Sequence, residues 1–283
     1  MDDRVLARLR CPVCAEPLAE TTAGTARALR CPRGHSFDIA RQGYVNLLAG
    51  RAPHTGDSAE MVAARAGFLA AGHYDTVAAA LATTAVRVAD SGPYPLVVDA
   101  GAGTGHYLAA VLAALPDAVG LALDVSKPAL RRAARAHPRA AAALADTWQR
   151  LPLADRSAAV LLNVFAPRNG PEFHRVLDPG GALLVVTPAA DHLTELVDAL
   201  DLLRVDPDKA DRVAGSLGGH FAEESATEHR ARLALTRAEV TTLVGMGPSA
   251  WHADPQRLAA RIAALPEPMP VTLSVRLGVH RPR

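Results

Sequence analysis

From residue 95 onward, apolar runs of four to eight residues alternate with longer stretches whose apolar positions recur at helical spacing. Short apolar runs bounded by turn residues read as buried strands, and the 3.6-residue period reads as helix. Strands are expected near 95–100, 118–124, 140–145, 157–164 and 180–187, and helices near 105–115, 126–137, 170–177 and 190–204. Alternating strands and helices predict an α/β fold with a mostly parallel sheet covered by helices. After residue 220 the pattern changes. Residues 226–235 form a candidate strand, and Val271–Val279 alternates apolar with other residues at period two, the signature of a half-buried strand. Residues 236–265 between them read as a helical insert, with Trp251 either in a core or a stacking platform. Ahead of the α/β region, Ser58 can cap a helix that ends at Gly72, and a second helix is expected over 75–89. Tyr74, between the two, is placed either to pack or to cover a ligand's aromatic ring.

One segment carries the first chemistry. The run Pro95-Leu-Val-Val-Asp-Ala-Gly-Ala-Gly-Thr-Gly105 is a strand ending in Asp99, followed by glycines at 101, 103 and 105. Alternating glycines allow a tight turn, close approach of the backbone to a ligand, and access to the next helix's N-terminal amides. Asp124 ends the following apolar run at the offset where nucleoside-binding folds hold the ribose. Ligands in such sheets bind beyond the carboxyl ends of the strands. Asp99, the glycine turn, Asp124, Asp146-Thr147 and Asn163–Pro167 all fall there. A dinucleotide turn needs glycine at 106, where this chain has His106.

The N-terminal segment carries the second. Cys11-Pro-Val-Cys14 is one metal knuckle, and Cys31-Pro-Arg-Gly-His35 is another, closing with histidine. Four Cys/His ligands saturate a tetrahedral Zn²⁺, so the metal is expected to be structural. Arg8, Arg10, Arg27, Arg30, Arg33, Arg41 and Arg51 surround these knuckles together with Phe37 and Tyr44, a composition suited to phosphate contact and base stacking, or to a solvated surface around a small core.

Composition narrows the classes. The net charge is +1, so a nucleic-acid partner cannot be argued from the total. Almost all positive charge is arginine, with Lys127 and Lys209 the two lysines, a bias typical of GC-rich coding. Three cysteines, all in the knuckles, do not make a disulfide framework. No secretory h-region and no membrane-length apolar run are visible, so a cytoplasmic protein with no membrane partner is expected.

The pattern Asp-x-Gly-x-Gly-x-Gly, with acids at 124 and 146 and the turn Leu177-Asp-Pro-Gly-Gly181, resembles the Rossmann-like class I S-adenosylmethionine-dependent methyltransferase fold. The resemblance sharpens further along the chain. The knuckles, Phe37-Asp-Ile-Ala-Arg-Gln-Gly-Tyr-Val-Asn-Leu-Leu48, Gly56-Asp-Ser-Ala-Glu-Met61, Phe68–Tyr74, Gly120–Lys127, Ala166-Pro167, Thr187-Pro188 and His192-Leu193 together resemble the RlmA family of 23S rRNA guanine-N1-methyltransferases. That resemblance implies a zinc-binding RNA-recognition module at 1–50, a helical linker at 51–94 and a methyltransferase domain at 95–283. It implies zinc on Cys11, Cys14, Cys31 and His35. It implies S-adenosylmethionine contacted by Tyr74, Asp99, Gly101, Gly103, Thr104, Gly105, Asp124, Asp146 and His192. Ala102-Gly-Thr104 departs from the Cys-Gly-Glu that relatives often carry, which leaves the turn but alters its polar contacts.

The implied partner is a 23S rRNA hairpin, with a homodimer as one assembly to test, and the arginine-rich composition leans towards the branch that confers resistance to macrolides such as tylosin and mycinamicin. Asn163 and Phe165 are the expected base-positioning residues, with Asp146 and His192 candidate proton acceptors. A small-molecule methyltransferase with a structural zinc module is the competing reading, and a binding protein with a relict cofactor pocket is a third.

Overall fold

The computed structural model describes residues 1–23, 26–50, 54–89, 95–202, 215–247 and 254–283. Arg51 and Trp251, both singled out in the sequence, lie outside these residues. A short helix α1 (Asp3–Leu6) leads into a three-stranded antiparallel sheet of β1 (Ala19–Ala23), β2 (Ala26–Arg30) and β3 (Ser36–Asp38). The chain then supplies β4 (Tyr44–Asn46), α2 (Ala59–Ala70) and α3 (Asp75–Val88). An alternating series follows: β5 (Leu96–Ala100), α4 (His106–Ala114), β6 (Val119–Asp124), α5 (Lys127–Ala133), β7 (Ala140–Leu144), β8 (Ala158–Val164), α6 (Gly170–Val176), β9 (Leu177–Pro188) and α7 (Thr194–Leu200). The described chain closes with β10 (Phe221–Leu235), α8 (Arg237–Gly245), α9 (Pro255–Ala263) and β11 (Met269–Pro282).

The main sheet has eight strands in the order β10-β11-β9-β8-β5-β6-β7-β4. β9, β8, β5, β6, β7 and β4 run parallel, and β11 and β10 close one side antiparallel. Strand order reverses at β5, so the crevice of a doubly wound sheet opens at its carboxyl end. β5 is buried along its whole length, as a central strand covered on both faces should be.

Local chemistry sets the helix starts. The Ser58 hydroxyl accepts the Met61 N–H at 3.2 Å. The Ser126 hydroxyl accepts the Ala129 N–H, with Pro128 in the first turn of α5. Thr236 and Glu239 form a reciprocal capping box at α8.

Two features depart from the sequence expectations. β11 is buried on both faces rather than half-buried; β10 and β9 pair its two edges and helices such as α7 pack on the sheet there. Its polar residues therefore need partners: the Thr272 N–H and hydroxyl both bond the Glu195 carboxylate, at 2.9 and 2.6 Å. The exposed alternation belongs to the edge strand β10 instead. The second feature was not anticipated. β4 leaves the N-terminal segment and joins the main sheet parallel to β7, and Leu9 bridges Leu153. Val5, Leu9, Leu18, Leu29 and Leu47 share one core with Leu121, Leu123, Leu151 and Leu153. Among the described residues, no helix is long and apolar enough to cross a membrane.

Candidate active site and metal centre

The two knuckles converge. The ligand atoms of Cys11, Cys14, Cys31 and His35 all lie within 4.8 Å of one another. Cys14 Sγ is 3.7 Å from Cys31 Sγ, and His35 Nδ1 is 3.6 Å from Cys11 Sγ and 3.3 Å from Cys31 Sγ. A tetrahedron with Zn–S bonds of about 2.3 Å has edges of about 3.8 Å, so the donors already stand near zinc-binding separations. Sulfurs at 3.7 Å are far beyond disulfide bonding, and all three cysteines are free. Gly34, in the left-handed region at φ +87°, makes the turn that swings His35 towards the cysteines.

The second site is a cavity of about 620 Å³ at the carboxyl end of the parallel strands. Its floor is the glycine turn between β5 and α4. Gly101 has φ +85°, and a Cβ there would stand 2.5 Å from that of Ala166, so glycine alone lets the turn pack against the loop after β8. Gly105, at φ +78°, caps α4 where a Cβ would stand 3.0 Å from Ala133 and Ala136, so glycine lets α4 begin close to α5. The Asp124 carboxylate braces the turn from β6. One oxygen accepts the Gly103 N–H and the other the Ser126 N–H, each at 2.8 Å. Burial pushes its pKa up, and the two amides oppose that shift.

At the end of β7, Asp146 accepts the Trp148 N–H at 2.9 Å and faces His54 Nδ1 at 3.0 Å. On the opposite wall, Tyr74, Phe165 and His192 form an aromatic corner. His192 stacks on Phe165 with centroids 6.1 Å apart, and the Tyr74 hydroxyl is 3.4 Å from His192 Nε2. His192 Nδ1 accepts the Ser274 N–H at 3.2 Å, so in the neutral ring the proton sits on Nε2 and points at Tyr74. Phe165 has a left-handed backbone, φ 52°, and is 41% exposed, unusual for a bulky residue and consistent with a ring held out at the rim.

Most of the sequence-predicted residues thus meet in one place: Tyr74, Gly101, Gly103, Thr104, Asp124, Asp146, Phe165 and His192 all line the cavity. Asp99, Gly105 and Asn163 do not. Asp99 is 1% exposed beneath the turn, with both carboxyl oxygens unbonded and its pKa pushed up to about 8 by burial and then by Asp124. Asn163 is wholly buried; its side-chain N–H₂ donates to the carbonyls of Ala100 (3.3 Å) and Pro167 (2.8 Å), tying the 165–167 loop to the end of β5.

Sequence reasoning missed several lining residues. Arg65 of α2 pairs with Asp57, donates to the Met246 carbonyl at 2.8 Å, and has Nη1 3.7 Å from where a Cβ of residue 103 would sit. His54, Tyr107, Trp148 and Leu243 also contribute, and Trp148 is 53% exposed at the mouth. The sole sequence signal for Arg65 was its place on the polar face of a capped helix, which does not distinguish it from other surface arginines.

Comparison with known proteins fits this geometry. Residues 9–52 match the family described as RlmA, N-terminal, a zinc ribbon, and residues 97–181 match a methyltransferase domain. A 23S rRNA (guanine(748)-N(1))-methyltransferase of Streptomyces fradiae is 55% identical, over 100% of this chain and 99% of its own length. The chain belongs to this family of 23S rRNA guanine-N1-methyltransferases. A Micromonospora griseorubida protein with the provisional name 23S rRNA (guanine-N(1)-)-methyltransferase is 68% identical over 100% of both chains. The Bacillus subtilis protein YxjB, with a similar provisional name, is 31% identical over 88% of this chain and 89% of its own. The α/β domain is thus an S-adenosylmethionine-dependent methyltransferase fold, and the ribbon's four-donor cluster is a structural zinc site.

Proposed function

We propose that this enzyme transfers a methyl group from S-adenosylmethionine to N1 of a guanine in a 23S rRNA hairpin loop, in the cytoplasm, and that the modification protects against macrolides such as tylosin and mycinamicin. The observation that carries this reading is end-to-end similarity to a guanine(748)-N1 enzyme, with the ribbon and the methyltransferase sheet sharing one core. A small-molecule methyltransferase has no use for a ribbon docked in this way.

The cavity fits the cofactor on its own geometry. Each Asp124 oxygen uses one lone pair on a backbone amide and keeps another for a ribose hydroxyl. The turn at Gly101 and Gly103 would leave the backbone bare for the methionine end, Asp146 and Thr147 would hold the adenine, and Tyr74 and His192 would close the opposite wall. When bound, S-adenosylmethionine supplies an electrophilic methyl group on a sulfonium. The chain's own task is to place the guanine in line with it. A loop guanine can be splayed out and read on the edge that carries N1. Phe165 offers it a stacking face at the rim, and Asn163 acts behind it by holding the 165–167 loop in place. His192 has its Nδ1 lone pair on Ser274 and its proton on Nε2, so its ring presents no acceptor to the base, and Asp146 bonds Trp148 and His54. Positioning is the main catalytic contribution.

The deciding assay combines labelled S-adenosylmethionine, the purified enzyme and 23S rRNA, with reverse transcription across the product. N1 methylation blocks base pairing, so a stop at one hairpin guanine is expected. Label transfer without RNA, or cofactor binding with no transfer to any rRNA, would overturn the reading. The assembly state to test first is a homodimer, by light scattering at assay concentration.

A further inference from the structure

Arg168 directly follows Pro167, the last residue of its loop to line the cavity, and no carboxylate among the described residues pairs with it. Its Nε is buried and unbonded. A guanidinium is always charged, and burying one without an anion is costly. An arginine kept in this state is a standing place for an anion. It is also held firmly. Asn163 donates to the Pro167 carbonyl at 2.8 Å on one side, and Asn169 donates to the Thr147 carbonyl at 3.0 Å on the other.

Its surroundings support the same reading. His280 of β11 is close enough for the Arg168 charge to oppose protonation of the imidazole, and its Nε2 is buried and unbonded. Gly278, lacking a side chain, lets the His280 ring and Arg276 close over its backbone. A Cβ at that position would stand 2.8 Å from His280 Nε2, 3.4 Å from Arg276 Nη1 and 3.6 Å from Glu223 Oε2. Arg276 is paired with Glu223 at 2.6 Å, and Glu223 also faces His280 at 3.9 Å. Two guanidinium charges against one carboxylate leave the cluster positive with the imidazole neutral. His280 Nε2 thus has no hydrogen-bond partner, only the Glu223 carboxylate at 3.9 Å, and it lies beside an arginine without a counterion.

We propose that Arg168, with His280 and Arg276 beside it, is a subsite for a backbone phosphate of the RNA strand next to the target guanine. This rests on the rRNA reading above. The guanidinium fork matches two phosphate oxygens, and phosphate contacts of this kind fix the register of a nucleic acid without reading its sequence. Arg168 stands three positions after Phe165 along the same pinned loop, so one short segment holds the base by stacking and its strand by charge. The ribbon's arginines would then grip the hairpin elsewhere, and Arg168 would set the local strand at the cavity.

The test uses the full-length zinc-loaded enzyme and a transcribed 23S rRNA hairpin carrying the guanine, with Arg168→Gln and Arg168→Lys. Removing one charged phosphate contact should raise KM for RNA about tenfold or more in Arg168→Gln. The slope of log affinity against log salt should become shallower by about one. The dissociation constant for S-adenosylmethionine should not move, and Arg168→Lys should recover most of the loss. Unchanged RNA affinity and salt slope in Arg168→Gln would overturn the subsite. So would an equal loss of cofactor affinity, which would make Arg168 a support of the cavity wall. If the wild type methylates no RNA, the proposed activity fails, but filter binding of the same hairpin across the same salt series still decides the subsite.

Discussion

The zinc ribbon and the cofactor cavity solve opposite problems. The ribbon gathers four donors from within Cys11–His35, two from each knuckle, and closes them around a point. The cavity draws its walls from His54 to Gly247 and stays open at the rim. A closed cluster gains from metal the rigidity that a three-stranded sheet of short strands cannot supply itself. The open cavity instead borrows rigidity from the eight-stranded sheet and places its groups on strand ends. The two are coupled through β4 and the shared core around Leu9, Leu47 and Leu153. Zinc therefore supports more than its own ribbon: it steadies one edge of the sheet whose other strands build the active site.

Breaking the ribbon should have the largest effect. Cys14→Ser removes one of four zinc ligands, so metal content by plasma mass spectrometry should fall towards zero and rRNA methylation by about a hundredfold or more. S-adenosylmethionine affinity, measured by calorimetry, should stay within about threefold, because no ribbon residue lines the cavity. A variant that loses zinc yet methylates rRNA normally would show that the ribbon is not needed for substrate. The mirror experiment is Asp124→Ala. It strips the glycine turn of its brace and removes the proposed acceptor for the ribose, so cofactor affinity should drop about a hundredfold with zinc content unchanged.

The two regions also differ in how plainly the sequence displays them. The knuckles are local, and Cys-x-x-Cys spacing carries nearly all of the metal chemistry. The strand–turn–helix at 95–115 is equally local, since the glycines at 101 and 105 answer steric demands from Ala166 and Ala133. What could not be read are groups whose role arises from distant packing. Arg65 reaches the turn because α2 crosses it, and Trp148 reaches the mouth from the far end of β7. Asn163 sits at a strand end, where a ligand contact is expected, yet the Ala100 and Pro167 carbonyls use its N–H₂. β4 was illegible for a different reason. Three residues carry too little periodicity to reveal that they pair with β7, and the pairing depends on a ribbon whose shape the sequence does not spell out.

Phe165→Ala tests the open side of the comparison at smaller amplitude. Stacking on a base is worth about 1–3 kcal/mol, so methyl transfer should slow by about ten- to a hundredfold. Cofactor affinity should change far less; equal losses in both would remove the stacking role and leave Phe165 as a wall of the cofactor pocket.

The smallest effect concerns Asp99, beneath the turn. Its carboxyl is buried without hydrogen-bond partners and holds its proton up to a pH of about 8 in the folded chain, against the ordinary 3.8 when unfolded. Between those values the folded state binds the extra proton, so stability from this group is full below pH 3.8 and is lost as pH rises through 8. The slope cannot exceed about 1.4 kcal/mol per pH unit for one proton. Asp99→Asn keeps the shape and removes the titration. Asp124, whose pKa burial also raises, is present in both proteins and largely cancels from their difference. Urea unfolding of the cofactor-free enzyme at pH 5.5 and 7.5 should therefore show the wild type losing stability relative to Asp99→Asn as pH rises. Parallel curves would mean that Asp99 is ionised and paired, and that the turn rests on a charge rather than on a neutral acid.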